Sequence, residues 1–166
     1  MNTKHVFRKI LIVAALGATC GVTFAAGTAS ATMGVSTTVN SNCLISTTAL
    51  AFAVYDPTAA TDNTASSTIT VKCNKNSVVS IAINGGSSAS DTARTMLLTG
   101  QDPLNYALYS DAAYLKNWGT TAGAQSATGT GLNSGVVLTV HGKIPMNQYT
   151  AGVGTYNDTV TATVTY

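Results

Sequence analysis

Past the first ten residues the chain has a single histidine, His141. Catalysis by side chains needs a nucleophile with a base, a pair of carboxylates, or a metal cluster, and one imidazole supplies none of these alone. His141 stands in "VLTVHGKIP", on a strand-like stretch just before a glycine, where a structural role is expected. All six acidic residues are aspartates, and they are scattered among loop-like contexts. Asp56, before Pro57, and Asp158 read as turn residues whose carboxylates accept hydrogen bonds from nearby backbone amides. Whether any two aspartates meet in space is left open by their order along the chain. "NGG" at Asn84 lacks the following helix, the lysine and the Ser/Thr of a phosphate loop, so it reads as a turn. Tyr106 and Tyr109 in "LNYALYSD" have the faces to stack on a sugar, but aromatics so placed more often fill core and rim. No enzyme, no cofactor and no metal site is expected.

The cysteines carry the clearest chemistry. Residues 1–25 read as a secretory signal: Lys4, Arg8 and Lys9 precede an apolar run over 10–18 too short to span a bilayer. Cleavage after Ala25 keeps the usual short gap behind that run; cleavage after Ala31 is the alternative. A lipoprotein is disfavoured because Thr19 precedes Cys20 where lipid attachment wants Gly or Ala. Cys20 leaves with the signal, and Cys43 and Cys73 remain. An even pair in an exported protein implies a disulfide, the alternative being two buried free thiols.

Removing the signal also takes three of the eight basic residues, leaving five against six aspartates, a net of −1. A basic footprint for nucleic acid is absent. About 140 residues remain, enough for one domain with a core of its own.

The elements that hold these residues are all β. The chain is rich in Thr, Ser, Ala, Gly and Val, lacks helical periodicity, and is punctuated by turn residues. Strands are predicted over 33–39, 44–54, 67–73, 78–84, 104–110, 135–144 and 156–166, which suggests a sandwich. Between them "DPTAATDNTASS", "NGGSSASDTAR" and "GTTAGAQSATGTGLNSG" read as surface loops. A core disulfide packed on a tryptophan is not expected, because Cys43 opens the domain and Trp118 stands in a loop-like context.

The two ends of this domain are complementary. In "YNDTVTATVTY", Tyr156, Asp158, Val160, Ala162, Val164 and Tyr166 alternate toward one face, and the chain stops with that strand's outer edge unprovided for. Ahead of Cys43, residues 26–42 form an extension in which Ala29, Ala31, Met33, Val35, Thr37 and Val39 share a face. Over 29–39 it reaches about 35 Å as a strand, enough to lie along a whole domain.

Eight blocks then occur in an order that resembles one family: "LAFAVYDP" (50–57), "TITVKC" (68–73), "IAINGG" (81–86), "RTM" (94–96), "LNYALYSD" (104–111), "WG" (118–119), "VHGKIP" (140–145) and "GTYNDTVTATVTY" (154–166). The chain is identified as a member of the spore coat protein U domain family, which includes the Csu-type subunits of archaic chaperone-usher pili. Ala53 departs from the family, which often has Gly there. The resemblance implies an all-β, incomplete immunoglobulin-like sandwich over 43–166 that lacks its last strand and is completed by a donor strand from another subunit. It implies a fimbrial subunit exported through the periplasm to the cell surface. Its partners would be a periplasmic chaperone, an outer-membrane usher and identical or related pilins in a homopolymer serving adhesion and biofilm formation. The tail 26–42 would be the donor, and Tyr156, Val160, Ala162, Val164 and Tyr166 the groove edge. Tip adhesins of such systems carry a further receptor-binding domain, for which this chain has no room. Two other readings stand beside it: a secreted coat protein built on the same domain, and a monomeric carbohydrate-binding sandwich with a closed fold.

Overall fold

Runs of Val, Ile, Thr and Tyr with period-two alternation fold here as strands, because branched and aromatic side chains suit a pleated, half-buried surface. The structure, a computed structural model, describes residues 25–120 and 123–166. The expected signal therefore lies almost wholly outside the described residues. Two units divide the chain, Met1–Thr37 and Thr38–Tyr166. In the first, residues 25–37 form no strand and every one is exposed. Among the described residues the predicted strand over 33–39 forms no ladder, although its alternation is present.

The second unit holds eight strands: β1 (Cys43–Thr47), β2 (Asn63–Cys73), β3 (Val78–Ile83), β4 (Arg94–Met96), β5 (Leu104–Tyr109), β6 (Gln125–Thr128), β7 (Val136–Ile144) and β8 (Ala162–Thr165). They form a five-stranded sheet in the order β1-β2-β7-β5-β4 and a three-stranded sheet in the order β6-β3-β8. All pairings are antiparallel. The longest ladder joins β2 to β7, from Asn63 opposite Ile144 to Val71 opposite Val136.

The core lies between the sheets. Ile69, Val71 and Cys73 of β2, Val79, Ile81 and Ile83 of β3, and Leu104, Tyr106 and Leu108 of β5 all alternate inward and are buried. Each such aliphatic side chain contributes about 1.5–3 kcal/mol on leaving water.

Four departures from the sequence-based expectation have physical causes. β6 falls in a stretch expected to be a loop and β4 begins on the last residue of another; they are four and three residues long, and "QSAT" has too little apolar alternation to register as a strand. β2 begins at Asn63, inside the expected loop "DPTAATDNTASS", because β7 is long enough to pair with it. Trp118 lies outside every named strand yet is 1% exposed. Its backbone N–H donates to Leu108 O at 2.8 Å and its indole N–H to Ile81 O at 2.9 Å, so it fastens one sheet to the other. The last departure concerns the strands predicted over 44–54 and 156–166, whose ladders cover only Cys43–Thr47 and Ala162–Thr165.

The disulfide joins Cys43 to Cys73, directly opposite one another in the β1–β2 register. It therefore ties neighbours within one sheet rather than bridging the two.

Candidate functional site

The two strands that fall short of their predicted length face the same opening. β1 is an outer strand of one sheet and β8 an outer strand of the other. Thr48 N–H donates to Thr68 O at 3.0 Å, one residue beyond the β1 ladder. Among the described residues no backbone–backbone hydrogen bond then holds residues 49–55. β8 pairs with β3 on one side, from Ser80 opposite Thr165 to Ile83 opposite Ala162, and among the described residues with no strand on the other. Unpaired strand edges of this kind are templates for another strand.

Between these edges runs a cleft of about 350 Å3, with Leu50, Phe52, Val160 and Ala162 on its walls and Ile69, Ile83, Leu108 and Val140 among its lining. A second cleft of about 740 Å3 shares Leu50, Phe52, Met96, Tyr156 and Asn157 with the first and continues to Val54, Tyr55 and Val153. The core of the sandwich is thus open along one flank. Gly142 of β7 makes the depth possible, because a Cβ there would collide with the side chains of Phe52 and Leu50. Phe52 meets Tyr106 edge to face, with ring centroids 6.4 Å apart.

Along the second wall the alternation holds well beyond the ladder. Tyr156, Asp158, Val160, Ala162 and Val164 are half-buried, while the residues between them are exposed. Tyr166 departs from the pattern: at 58% exposure it lies mostly in solvent. Asp158 is more than a local turn residue. Its Oδ1 accepts from Ser87 N–H and Oγ–H and from Thr159 N–H, and its Oδ2 accepts from Tyr106 Oη–H at 2.6 Å. Gly86, at φ +63°, leaves the space for this carboxylate, which any Cβ there would strike. Burial opposes the charged form of Asp158, but the hydrogen bonds from Tyr106, Ser87 and Thr159 outweigh it and hold its carboxyl below the ordinary value. Burial, and then the bond to Asp158, push the Tyr106 phenol well up.

Behind this wall sits Arg94, fully buried. Its guanidinium donates to Asn84 O and Ile83 O at 2.9 Å and to Trp118 O at 2.8 Å, and burial lowers its pKa. In the sequence Arg94 is singled out only within "RTM", with no role of its own, although it is the only arginine beyond residue 8. An isolated cation beside "TM" in a chain with so few charges was the available signal.

Of the remaining candidates, Tyr106 lines the cleft, and Tyr109, His141 and Asp56 stand apart from it. Tyr106 and Tyr109, three apart on β5, face opposite sides of the sheet and form no common platform. Tyr109, Tyr114 and His141 meet edge to face, and Lys143 Nζ sits 5.5 Å and 5.6 Å from the Tyr109 and Tyr114 centroids and 3.4 Å from Asp62. This cluster is already filled by its own cation. Asp56 accepts from Thr58 N–H and Oγ1–H within a turn. Among the described residues no group of three or more His, Cys, Asp or Glu could hold a metal, and no helix is long and apolar enough to cross a membrane.

The tail residues Ala29, Ala31, Met33, Val35, Thr37 and Val39 are all exposed, with Met33 at 85% and Val35 at 86%. Large apolar side chains repeated along one face of an extended segment are unusual in water unless a partner is to cover them.

Comparison with known proteins places this arrangement. The model of the Spore Coat Protein U domain matches residues 29–163. The chain belongs to the Spore Coat Protein U domain family. The match begins at Ala29 and so takes in residues 29–42. "Protein U" of Myxococcus xanthus is 32% identical over 157 residues, covering 85% of this chain and 87% of its own. Among solved structures, a chain of the CsuC–CsuE chaperone–tip adhesion subunit pre-assembly complex, from the archaic chaperone-usher Csu pili of Acinetobacter baumannii, superposes with a TM-score of 0.57 at 25% identity. That match covers 78% of this Spore Coat Protein U domain chain, which spans only 40% of the solved one.

Proposed function

We propose that this protein is an exported structural subunit that polymerises by donor-strand exchange into a surface fibre. Each subunit's cleft receives the tail of another copy, with Ala29, Ala31, Met33, Val35, Thr37 and Val39 directed inward. The observation that carries this reading is the pair of shortened ladders: strand-patterned chain lies on both walls, yet β1 stops at Thr47 and β8 starts at Ala162 across an open core. An added strand would pair with these edges by the β-augmentation mode of recognition. Each new backbone hydrogen bond contributes about 0.5–1.5 kcal/mol net, and burial of Met33, Val35 and Val39 about 1.5–3 kcal/mol apiece, offset by the entropy of ordering the tail.

Before assembly the same cleft needs a temporary strand, and a periplasmic chaperone is the partner proposed, with an outer-membrane usher as the place of exchange. No nucleotide is required if the subunit–subunit junction is the more stable. The Csu complex, a chaperone holding a pilus subunit, supports this route. Adhesion and biofilm formation are the roles proposed for the fibre. A coat subunit assembled through the same cleft is the second reading, favoured by the likeness to Protein U. Chaperone and usher genes beside this one would support the fibre over the coat.

The test is to supply the missing strand in cis. A fusion carrying residues 29–39 behind Tyr166 through a flexible linker, and lacking the residues before Asn40, should be a soluble monomer without chaperone. Tethering gives the graft an effective concentration of about a millimolar. The same domain without the graft should aggregate. An ungrafted domain that is an equally stable monomer would show the sandwich to be complete already.

A further inference from the structure

Asp158 is the only charged side chain among the described residues that line the cleft. Along the inward face of 156–164, Asp158 is the only carboxylate, and along the inward face of the tail, Thr37 is the only polar side chain. We propose that Thr37 of an incoming copy docks antiparallel against Asp158 and donates its hydroxyl to Oδ2, and that this contact fixes the register of the junction. The proposal rests on the donor-strand reading above and specifies it.

Hydrogen-bonding capacity at Asp158 is unevenly used. Oδ1 already takes three donors, whereas Oδ2 takes only Tyr106 Oη–H and keeps room for another. Side chains directly opposite in an antiparallel pair have Cβ atoms about 4.5–5.5 Å apart, within reach of a hydroxyl–carboxylate bond.

Orientation follows from coverage. With Thr37 opposite Asp158 and the strands antiparallel, Val39 lies on Tyr156, Val35 on Val160, Met33 on Ala162 and Ala31 on Val164. A large side chain thus meets a small one at Ala162, and a small one meets a larger one at Val164. The tail then covers the open edge of β8 along its whole length. A parallel strand with the same contact would send Ala29 to Ala31 toward the 150–152 loop and leave Ala162 and Val164 bare.

Register follows from charge. The side-chain period of a strand is two, so the nearest alternatives that keep the apolar face inward are slips of two residues. A slip either way sets Val35 or Val39 against the Asp158 carboxylate and puts the Thr37 hydroxyl on Tyr156 or Val160. Each alternative loses a hydrogen bond to a charged group, worth about 1.5–3 kcal/mol, which favours the proposed register by about tenfold or more.

Cysteine pairs on the outward faces read the register in fibres of the full chain. The proposed pairing sets Thr32 opposite Thr163, and both are exposed. Fibres of Thr32→Cys/Thr163→Cys should form a covalent ladder under mild oxidation on a non-reducing gel, about tenfold more than fibres of Thr32→Cys/Thr161→Cys or Thr32→Cys/Thr165→Cys. Equal or stronger linkage at Thr161 or Thr165 overturns the register while leaving donor-strand exchange standing. No linkage by any pair, or no fibres, overturns the docking itself and the register with it. Thr37→Val should lower the linkage in Thr32→Cys/Thr163→Cys fibres and raise it in Thr32→Cys/Thr161→Cys and Thr32→Cys/Thr165→Cys fibres, and Thr37→Ser should restore the original pattern. A cross-linking pattern unchanged by Thr37→Val would overturn the role assigned to the Thr37–Asp158 contact.

Discussion

The Tyr106 hydroxyl on β5 donates to Asp158 Oδ2 at 2.6 Å, tying the five-stranded sheet to the segment that leads into β8. Without that bond residues 156–161 would be held chiefly by Leu97 pairing with Asn157, by Ser87, whose N–H and Oγ–H donate to Asp158 Oδ1, and by Asn84, which accepts from Thr161 N–H through Oδ1 and donates its N–H to Thr161 O. One wall of the cleft is therefore positioned by a polar contact reaching through the core, not by a ladder.

Acid should weaken this wall in a defined way. The Asp158 carboxyl is held below its ordinary value in the folded protein, so its contribution is full above about pH 3.9 and is lost as the pH falls through the lower folded value. Asp56 and Asp111 are also lowered, by hydrogen bonds from Thr58 and from the Lys116 and Leu115 amides, and share that limb. Asp158→Asn should flatten the acid limb of a stability–pH curve measured by urea unfolding. Tyr106 is raised, so its contribution is present below about pH 10 and is lost above it. Tyr106→Phe should remove the alkaline limb and cost about 1–3 kcal/mol at neutral pH. A variant curve parallel to wild type at both ends would refute the coupling.

Arg94→Met should destabilise the domain by about 3 kcal/mol or more, because the Ile83, Asn84 and Trp118 carbonyls all lose a donor and a buried unpaired carbonyl costs about 1–3 kcal/mol. Arg94→Lys should recover only part, since an ammonium lacks the planar fork that reaches three carbonyls. Urea midpoints of the three proteins check the order wild type, Lys, Met.

What the sequence disclosed and what it hid divide along a physical line. Alternation in "VVSIAI" and "LNYALY" located β3 and β5 because their inward residues are apolar. The same rule gave the inward face of 156–164 but overstated its ladder, since pattern records which face is buried and says nothing of whether a neighbour exists. Arg94 and Trp118 were hidden because their partners are backbone carbonyls distant in sequence, and no local spacing encodes those. β6 was hidden for a related reason: β3 supplies its pairing, from Val78 opposite Thr128 to Ile81 opposite Gln125. The cleft itself was legible only as a mismatch, a tail without a neighbour and an edge without a cover.

Loss of the disulfide should loosen the point where the tail leaves the domain. Cys43 and Cys73 close a 30-residue separation that contains the 49–55 wall of the cleft. Beside them Asn42 N–H donates to Asn74 Oδ1 at 2.7 Å, and the Ser41 and Ser77 hydroxyls are hydrogen-bonded. Replacing both cysteines with serine should cost about 3–4 kcal/mol on the chain-entropy account of disulfide stabilisation. Intact mass after alkylation should detect no free thiol in the unreduced mature protein, and two modified cysteines would contradict the pairing.

Charge placed at chosen points should separate folding from assembly. Val160 and Val164 point into the half-buried face of the second wall, so aspartate at either desolvates a charge in an apolar site and should leave the subunit unable to accept any strand. Such variants should be degraded in the periplasm. Tyr166 is 58% exposed, so Tyr166→Asp should behave nearly as wild type although it belongs to the same alternation. Val35→Asp alters only the exposed tail, and its subunit should be recovered in normal amount with its chaperone yet fail to extend a fibre. Immunoblots of periplasmic extracts, set beside electron micrographs of the cell surface, read both outcomes at once. Normal fibres from both Val164→Asp and Val35→Asp would show that neither the edge of β8 nor the tail takes part in the junction.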